Sequence, residues 1–530
     1  MGLFAPTRIN NVWIITFEYS GIASLGGLGE AVRARAEMLA RRGKEVTVFM
    51  PSHGRYMDPV IRARLGLRDR GFSECGYRRG VDGAYYHYCL GAEEATISGV
   101  SVVLFKGLDR ATRIVMDSWD IYSYAEEKAS LLARALRAYA QRSSELPDIV
   151  DANDWHSVMA GISVRQEAER RGLALPLLYS IHLSTSRSFP WHYASSEWSG
   201  ISNGPHLVWR VYRHEVDHYS RVWESVGGDV EAFGVYEADA VSTVSHSYLW
   251  EEIARKYGGW VIQKSCVVYN PTWLRRVDAI RWISEKYGDI QAGVEWKIIE
   301  DHLGGYRRWG YLDGRGFLMV ALGRLTWQKG FDIAVRALDM APHARLLILG
   351  IGVGDLGFED SLRRLVEERW GRAMVIPDRV PIDVRNAIVA MAKSTVIPSR
   401  WEPFGLVAVE SMALGTPVIA SSVGGLREIV VDLRGDAGGN GLLARPEDPW
   451  DLGLAMESMA ILMGGGDPSQ IPLGELRRYA EKGFENRLRA RCVEHVDQRF
   501  REDAAYSQLE ACYEKARQMA YYRAVASGNT

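Results

Sequence analysis

The chain has 530 residues, more than one hydrophobic core usually organises, so two large domains are expected. Hydrophobic residues make up 47% and charged residues 25%, with a formal net charge of -2, a globular balance with no electrostatic footprint for nucleic acid. Cys75, Cys89, Cys266, Cys492 and Cys512 are odd in number, far apart and outside any zinc spacing, so reduced thiols in a cytoplasmic protein are expected.

No apolar run reaches the roughly 18 residues of a membrane span. The start lacks a charged segment followed by an apolar one, and Pro6 stands where a myristoylation signal needs Ser or Thr. No membrane association is expected.

Val12 to Phe17 reads as a buried strand, followed by Gly26-Gly27-Leu28-Gly29 and a helix from Glu30 to Arg42 that Gly43 closes. Glu45 to Met50 is the next strand. Val100 to Phe105, Ile149 to Asp151, Leu177 to Ile181 and Ala240 to Val244 follow as strands, with a helix at Ala125 to Arg142. Strands alternating with helices predict a parallel sheet covered on both faces. Ser184 to Gly234 fits neither rhythm and carries Trp191, Trp198, Trp209 and Trp223; these are either stacking faces for sugar rings or core of small insertion helices.

The rhythm restarts at Phe317 to Leu322. Helices at Phe331 to Asp339, Leu362 to Arg369 and Val384 to Ala392 separate strands at Ala344 to Leu349, Ala373 to Ile376 and Thr395 to Pro398. The domain break is set at Asn270-Pro271, with a linker running to about Gly316. Residues 1–270 form the first domain and 271–502 the second, and the final helix, 503–530, packs back on the first.

Three motifs carry chemistry. Ser24-Leu25-Gly26-Gly27-Leu28-Gly29 lies between strand and helix, where glycines admit a ligand to backbone N–H groups and a helix end favours an anion; a plain tight turn has the same pattern. Arg324-Leu325-Thr326-Trp327-Gln328-Lys329-Gly330 follows a strand, at the carboxyl edge where open α/β sheets bind ligands, and its two cations suit a diphosphate. Ser399 to Glu410 also follows a strand and turns at Pro403 and Gly405 into a helix. Glu402 and Glu410, eight residues and about 12 Å apart if helical, suit opposite ends of an extended ligand rather than one reacting atom.

A GGL loop, an R-x4-K-G segment and an E-x7-E segment in this order resemble the glycogen and starch synthases and the wider retaining GT-B glycosyltransferases. The opening GGLGEAV, VFMPSHGR and Asp154-Trp155-His156 are most similar to archaeal and bacterial glycogen synthases. The resemblance implies an α/β GT-B fold, two Rossmann-like doubly wound domains facing a cleft, with an acceptor and catalytic domain first and a nucleotide-sugar domain second. It implies a retaining glucosyltransferase that extends an α-1,4-glucan from ADP-glucose or UDP-glucose. His182 would contact the transferred glucose, Asp154 the sugar or acceptor, Arg324 and Lys329 the leaving diphosphate, Glu402 the glucose hydroxyls and Glu410 the ribose. Gly26 and Gly27 belong to the donor loop, and Gly405, Leu406 and Val407 would offer backbone N–H groups to the donor.

Two positions depart from the family. Ser24 stands where a Lys approaches the donor phosphates, and Leu183 where an Asn follows the catalytic-region His. Arg33 or Arg55 is a candidate replacement for that Lys, and the acceptor is open to difference. No acidic DxD pair follows a strand, so no metal and no cofactor are expected. The rival readings are a transferase of the same fold making a small glycoside or disaccharide, and a non-catalytic glycan-binding protein.

Overall fold

Apolar runs of five to eight residues become strands here because both of their faces are covered, so no polar alternation is needed. In a computed structural model, which describes residues 3–210 and 213–528, the chain divides into two units: Met1–Asn270 with Ala505–Thr530, and Pro271–Ala504.

The first unit opens with β1 (Asn11–Ile15), α1 (Gly27–Arg41), β2 (Glu45–Pro51), α2 (Pro59–Leu65), β3 (Arg68–Arg79), β4 (Tyr85–Ile97), β5 (Val100–Gly107), α3 (Arg110–Met116) and α4 (Ala125–Arg142). It continues through β6 (Ile149–Asn153), α5 (Val158–Arg170), β7 (Leu177–Ile181), β8 (Pro205–Arg210), β9 (Arg213–His218), α6 (Tyr219–Ser225), α7 (Val230–Glu237), β10 (Ala240–Thr243), α8 (His246–Tyr248), α9 (Ala254–Tyr257) and β11 (Ser265–Val267). The main sheet has the order β11-β10-β7-β6-β1-β2-β5-β4-β3, parallel from β11 to β5 and antiparallel beyond.

The hairpin β3–β4 is absent from the sequence reading. β3 begins with four exposed residues, then alternates exposed residues with partly buried ones, and has no apolar run to mark it. Cys75 and Cys89 lie directly opposite in this hairpin and form a disulfide; a second joins Cys266 on β11 to Cys512, leaving only Cys492, which is buried, as a free thiol. The expectation of reduced thiols is therefore corrected: cross-strand register and helix docking, neither visible as a spacing, bring each pair together.

The second unit holds α10 (Arg276–Tyr287), α11 (Val294–Leu303), β12 (Trp309–Leu312), β13 (Phe317–Arg324), α12 (Phe331–Ala337), β14 (Ala344–Ile351), α13 (Leu356–Glu367), β15 (Arg372–Ile376) and α14 (Ile382–Met391). β16 (Ser394–Ile397), α15 (Leu406–Ala413), β17 (Val418–Ser421), α16 (Leu426–Ile429), β18 (Gly441–Ala444), α17 (Pro449–Gly464) and α18 (Phe484–Arg499) complete it. The sheet order is β12-β15-β14-β13-β16-β17-β18, with only β12 antiparallel. Met319 and Ala321 of β13 enter one core cluster while Leu318 and Val320 enter another, which places apolar layers on both faces.

The stretch 271–316 is not a linker. Ala279 and Ile283 of α10 and Ile298 and Leu303 of α11 are core of this unit. The chain ends in α19 (Glu502–Gly528). From Ala505 onward α19 belongs to the first unit, where the Tyr513 hydroxyl donates to Asp151 and Arg523 pairs with Asp239.

Candidate active site

In the first unit, β6 ends at Asn153 and the next residue, Asp154, takes φ 56° and ψ 173°, a region that side chains rarely occupy and that costs about 1–3 kcal/mol. The strain turns its carboxylate toward the neighbouring strand end. Asp154 Oδ1 accepts the N–H groups of His182 (2.7 Å) and Leu183 (3.3 Å), which follow β7. Burial pushes the Asp154 carboxyl up to about 8, against the pull of those two N–H groups.

Asn153 fixes the His182 ring. Its Nδ2 donates to the Ile15 and Asp151 carbonyls and to Asp151 Oδ1, so its Oδ1 faces His182 Nε2 at 2.9 Å and accepts a hydrogen bond from the Nε2–H. Burial, helped by Arg35 and His156, holds the His182 pKa well below its ordinary value. The imidazole is thus neutral with its proton on Nε2, and the lone pair on Nδ1 has no partner among the described residues.

The backbone after His182 is tied down at every step. Ser184 N–H donates to the Tyr248 hydroxyl (2.5 Å), Thr185 N–H donates to Glu231 Oε2 (2.9 Å), and the Ser184 hydroxyl donates to Glu231 Oε1. Glu231 is itself fully buried and gathers Lys256 Nζ (3.0 Å) and the Tyr257 hydroxyl. Sequence reasoning singled out none of Asn153, Glu231 and Tyr248; Glu231 sits on α7 and Tyr248 on α8, with no local motif to mark them.

The glycine loop is organised by Glu18, also missed from sequence. Glu18 Oε2 accepts the N–H groups of Leu25 (2.8 Å) and Gly26 (3.2 Å), and Oε1 accepts the Tyr122 hydroxyl (2.6 Å). Gly26 precedes α1 without any side-chain cap, and Gly27 is the first residue of that helix. Ser24 turns inward onto the Gly26 carbonyl. Neither proposed replacement for the absent Lys is unengaged: Arg33 pairs with Glu37, and Arg55 donates to the His53 and Trp119 carbonyls and lies over the Trp119 ring. His53 is buried, its Nε2 donating to the Phe17 carbonyl and its Nδ1 accepting from Lys128. Phe17 also stacks on His156, which burial holds neutral, its pKa pulled down to about 3.

The Trp-rich insertion is largely core. Trp198 and Trp223 are buried and donate to the Arg79 and Phe189 carbonyls. They are held as small-helix and loop packing, which removes them as stacking faces for sugars.

In the second unit, two loops at the carboxyl ends of β13 and β16 are zipped together. Arg400 N–H donates to the Gln328 carbonyl (2.9 Å), Gln328 Nε2 to the Trp401 carbonyl (3.1 Å), and the Arg400 guanidinium to the Trp327 carbonyl and Asp332. Gly330 (φ 63°) permits this approach, since a Cβ there would lie 2.1 Å from the Pro398 carbonyl oxygen. The result is the ion pair Lys329 Nζ–Glu402 Oε2 at 2.6 Å, to which the Ser399 hydroxyl adds a bond of 3.1 Å. Arg324 ends β13, half-buried, and its side chain has no partner among the described residues. Glu410, one turn into α15, pairs with Arg385 of α14 at 3.3 Å. Gly405 (φ 114°) opens α15, and no side chain caps Leu406 or Val407. Gly424 backs the turn closely, its own Cβ position only 2.1 Å from the Glu402 carbonyl oxygen.

The two units match two family models: the starch synthase catalytic domain over residues 11–264 and glycosyl transferases group 1 over residues 311–460, together well over half the chain. The chain belongs to the glycogen and starch synthase family. Among these glycosyltransferases, it is 27% identical over 468 residues to soluble starch synthase 2-2 of Oryza sativa, covering 81% of this chain but 62% of the rice protein, so it spans less than two thirds of that relative. It is 26% identical to the glycogen synthase of Myxococcus xanthus, covering 89% of this chain and 96% of that one. The solved catalytic domain of starch synthase IV from Arabidopsis thaliana, bound to ADP and acarbose, superposes with a TM-score of 0.69 at 17% identity, covering 97% of this chain and 100% of that one; the family member described here therefore has the GT-B fold. Among its described residues no cluster of three or more His, Cys, Asp or Glu is arranged to hold a metal ion, and no helix is long and apolar enough to cross a membrane.

Proposed function

We propose that this chain transfers glucose from ADP-glucose or UDP-glucose to an α-1,4-glucan, with retention of anomeric configuration and without a metal ion. The observation that carries this reading is the Lys329–Glu402 pair that joins the loops at the carboxyl ends of β13 and β16, with Arg324, whose side chain has no partner among the described residues, ending β13. When the sugar–phosphate bond breaks, negative charge grows on the departing diphosphate and positive charge on the anomeric carbon. Arg324 and Lys329 meet the first, exchanging Glu402 for phosphate oxygens, and the uncapped N–H groups of Leu406 and Val407 add to them. Glu402, released from Lys329, accepts from glucose hydroxyls, and Glu410 from the ribose.

In the first unit, the neutral His182 carries an unpartnered Nδ1 lone pair, which supports its reading as an acceptor for a sugar hydroxyl. Asp154, protonated near neutrality by burial, positions that segment without adding an anion beside the donor. Gly27, the uncapped first residue of α1, offers its backbone N–H to the phosphates in place of the family Lys, which Ser24 does not replace, while the Gly26 N–H is held by Glu18. The ADP bound in starch synthase IV supports an adenine nucleotide and its acarbose a glucan acceptor.

Purified protein with ADP-glucose or UDP-glucose and glycogen, with and without EDTA, tests the proposal. Glycogen elongation unaffected by chelator is expected. Activity that vanishes with EDTA and returns with manganese overturns the metal-free mechanism, and activity on glucose or a sugar phosphate but not glycogen overturns the acceptor.

A further inference from the structure

A cleft at the carboxyl ends of β17 and β18 contains none of the candidate active-site residues. It encloses about 500 Å³, within the roughly 300–1,000 Å³ of small-molecule sites, and its walls come from the second unit alone. Ser422, just past β17, lines it and donates its N–H to the carbonyl of Ala444, the last residue of β18, at 2.8 Å. Asp432 and Arg434 form the wall that precedes β18, Arg445 and Pro446 the loop that follows it, and Asp451 the first turn of α17.

Charge on these walls is balanced. Asp432 pairs with Arg434 at 2.7 Å. Asp451 accepts the Arg445 N–H at 2.7 Å, and the Arg445 guanidinium lies 3.7 Å from the same oxygen and 2.9 Å from Asp448, which caps α17. An ionic ligand therefore meets no uncompensated opposite charge. Hydrogen-bonding capacity, by contrast, is left over. Arg434 spends Nε and Nη2 on Asp432 and the Leu443 carbonyl, while its Nη1 and the half-buried Ser422 hydroxyl have no hydrogen-bond partner among the described residues. Free donors and carboxylate lone pairs beside the apolar Leu443 and Pro446 fit an uncharged polyol, whose hydroxyls bond to the paired charges while its C–H faces lie on the apolar side chains.

The walls continue into the active-site loops. The turn after Ser422 brings the Gly425 N–H to the Glu402 carbonyl at 3.0 Å. Glu447, in the loop after β18, takes φ 57°, a region few non-glycine residues occupy. Its carboxylate lies 3.9 Å from Arg400, the residue that ties the Lys329 loop to the Glu402 loop.

We propose that this cleft is a second glucan site, which holds a segment of α-1,4-glucan other than the reacting end. The ligand class rests on the reading of the chain as a glucan transferase; the cleft, its balanced charge and its free donors do not.

Affinity electrophoresis of the full chain through gels containing glycogen tests this, with wild type, Ser422→Trp, which fills the cleft, and Arg445→Ala. The Arg445 side chain is 71% exposed, so the second variant keeps the test open should the first fail to fold. The dissociation constant for glycogen is expected to rise about tenfold in both variants, the scale of lost hydrogen bonds to charged groups, and added maltoheptaose should relieve the retardation of wild type. In parallel elongation assays, the ratio of kcat/KM on glycogen to that on maltotriose should fall in both. Weakened retardation of the variants in a protein that elongates no glucan would uphold the cleft and overturn the transferase reading. Elongation with equal retardation of all three chains would uphold that reading and overturn the cleft. Absence of retardation in wild type, or retardation that maltoheptaose fails to relieve, overturns the proposal as well.

Discussion

Lys329 and Glu402, 73 residues apart in sequence, form an ion pair of 2.6 Å between two loops at adjacent strand ends. Each is therefore the other's resting partner, and substrate competes with that pair. If Lys329 meets charge that develops on the leaving diphosphate, Lys329→Ala should lower kcat about a hundredfold, roughly 3 kcal/mol of transition-state stabilisation. Steady-state kinetics on glycogen with varied nucleotide sugar separates the cases: a raised KM with kcat intact would assign Lys329 to ground-state binding alone.

Gly330 makes that pairing possible. Alanine there combines φ 63° with a Cβ 2.1 Å from the Pro398 carbonyl oxygen, so the two loops must part. Gly330→Ala is expected to lower the melting temperature and turnover together, since the same displacement separates Lys329 from Glu402. A variant with wild-type melting temperature and activity would show that the loops tolerate separation.

Asp154 links the first unit's site to pH. Its folded pKa is raised from 3.8 to about 8 by burial, so its stabilising contribution is full below about pH 4 and is lost as pH rises through about 8. Asp154→Asn cannot ionise. Between pH 5 and 9 the melting temperature of wild type should fall more steeply than that of Asp154→Asn, and parallel curves would mean an ordinary carboxylate.

Glu231 is a positioning residue for the backbone beyond His182. Its replacement by Ala strands Lys256, Tyr257 and the Thr185 N–H around a buried site, a loss of about 3–5 kcal/mol by analogy with other broken buried pairs. Tyr248→Phe removes only the acceptor for the Ser184 N–H and should cost about 1–3 kcal/mol. Urea denaturation of the two variants should reproduce that order, and equal losses would contradict the assignment of Glu231 as the hub.

The Cys266–Cys512 disulfide closes a separation of 246 residues and ties α19 to β11. Reduction should lower unfolding stability by up to about 5 kcal/mol, the scale for constraining so long a loop. Because dithiothreitol also opens Cys75–Cys89, melting of Cys266→Ser against wild type measures it, and an unchanged melting temperature would contradict the constraint.

The parallel strands, the helices between them and the three loops bearing Gly26, Lys329 and Glu402 were legible in the sequence. Each is local: a buried strand is an apolar run, and a ligand loop follows its end as glycine and charge. β3 and β4 were not legible, because an edge hairpin with one wet face alternates instead of clustering apolar residues, and α10 and α11 were read as linker because their apolar stripes are narrow. By itself, the sequence determined the order of elements and the residue types at the strand ends. Only the tertiary structure decided which groups hold which: Glu18 on the glycine loop, Asn153 on His182, Glu231 on the loop beyond it, and Cys266 with Cys512. Backbone register and side-chain direction set those pairings over tens to hundreds of residues, and no local pattern of polarity encodes a contact at that range.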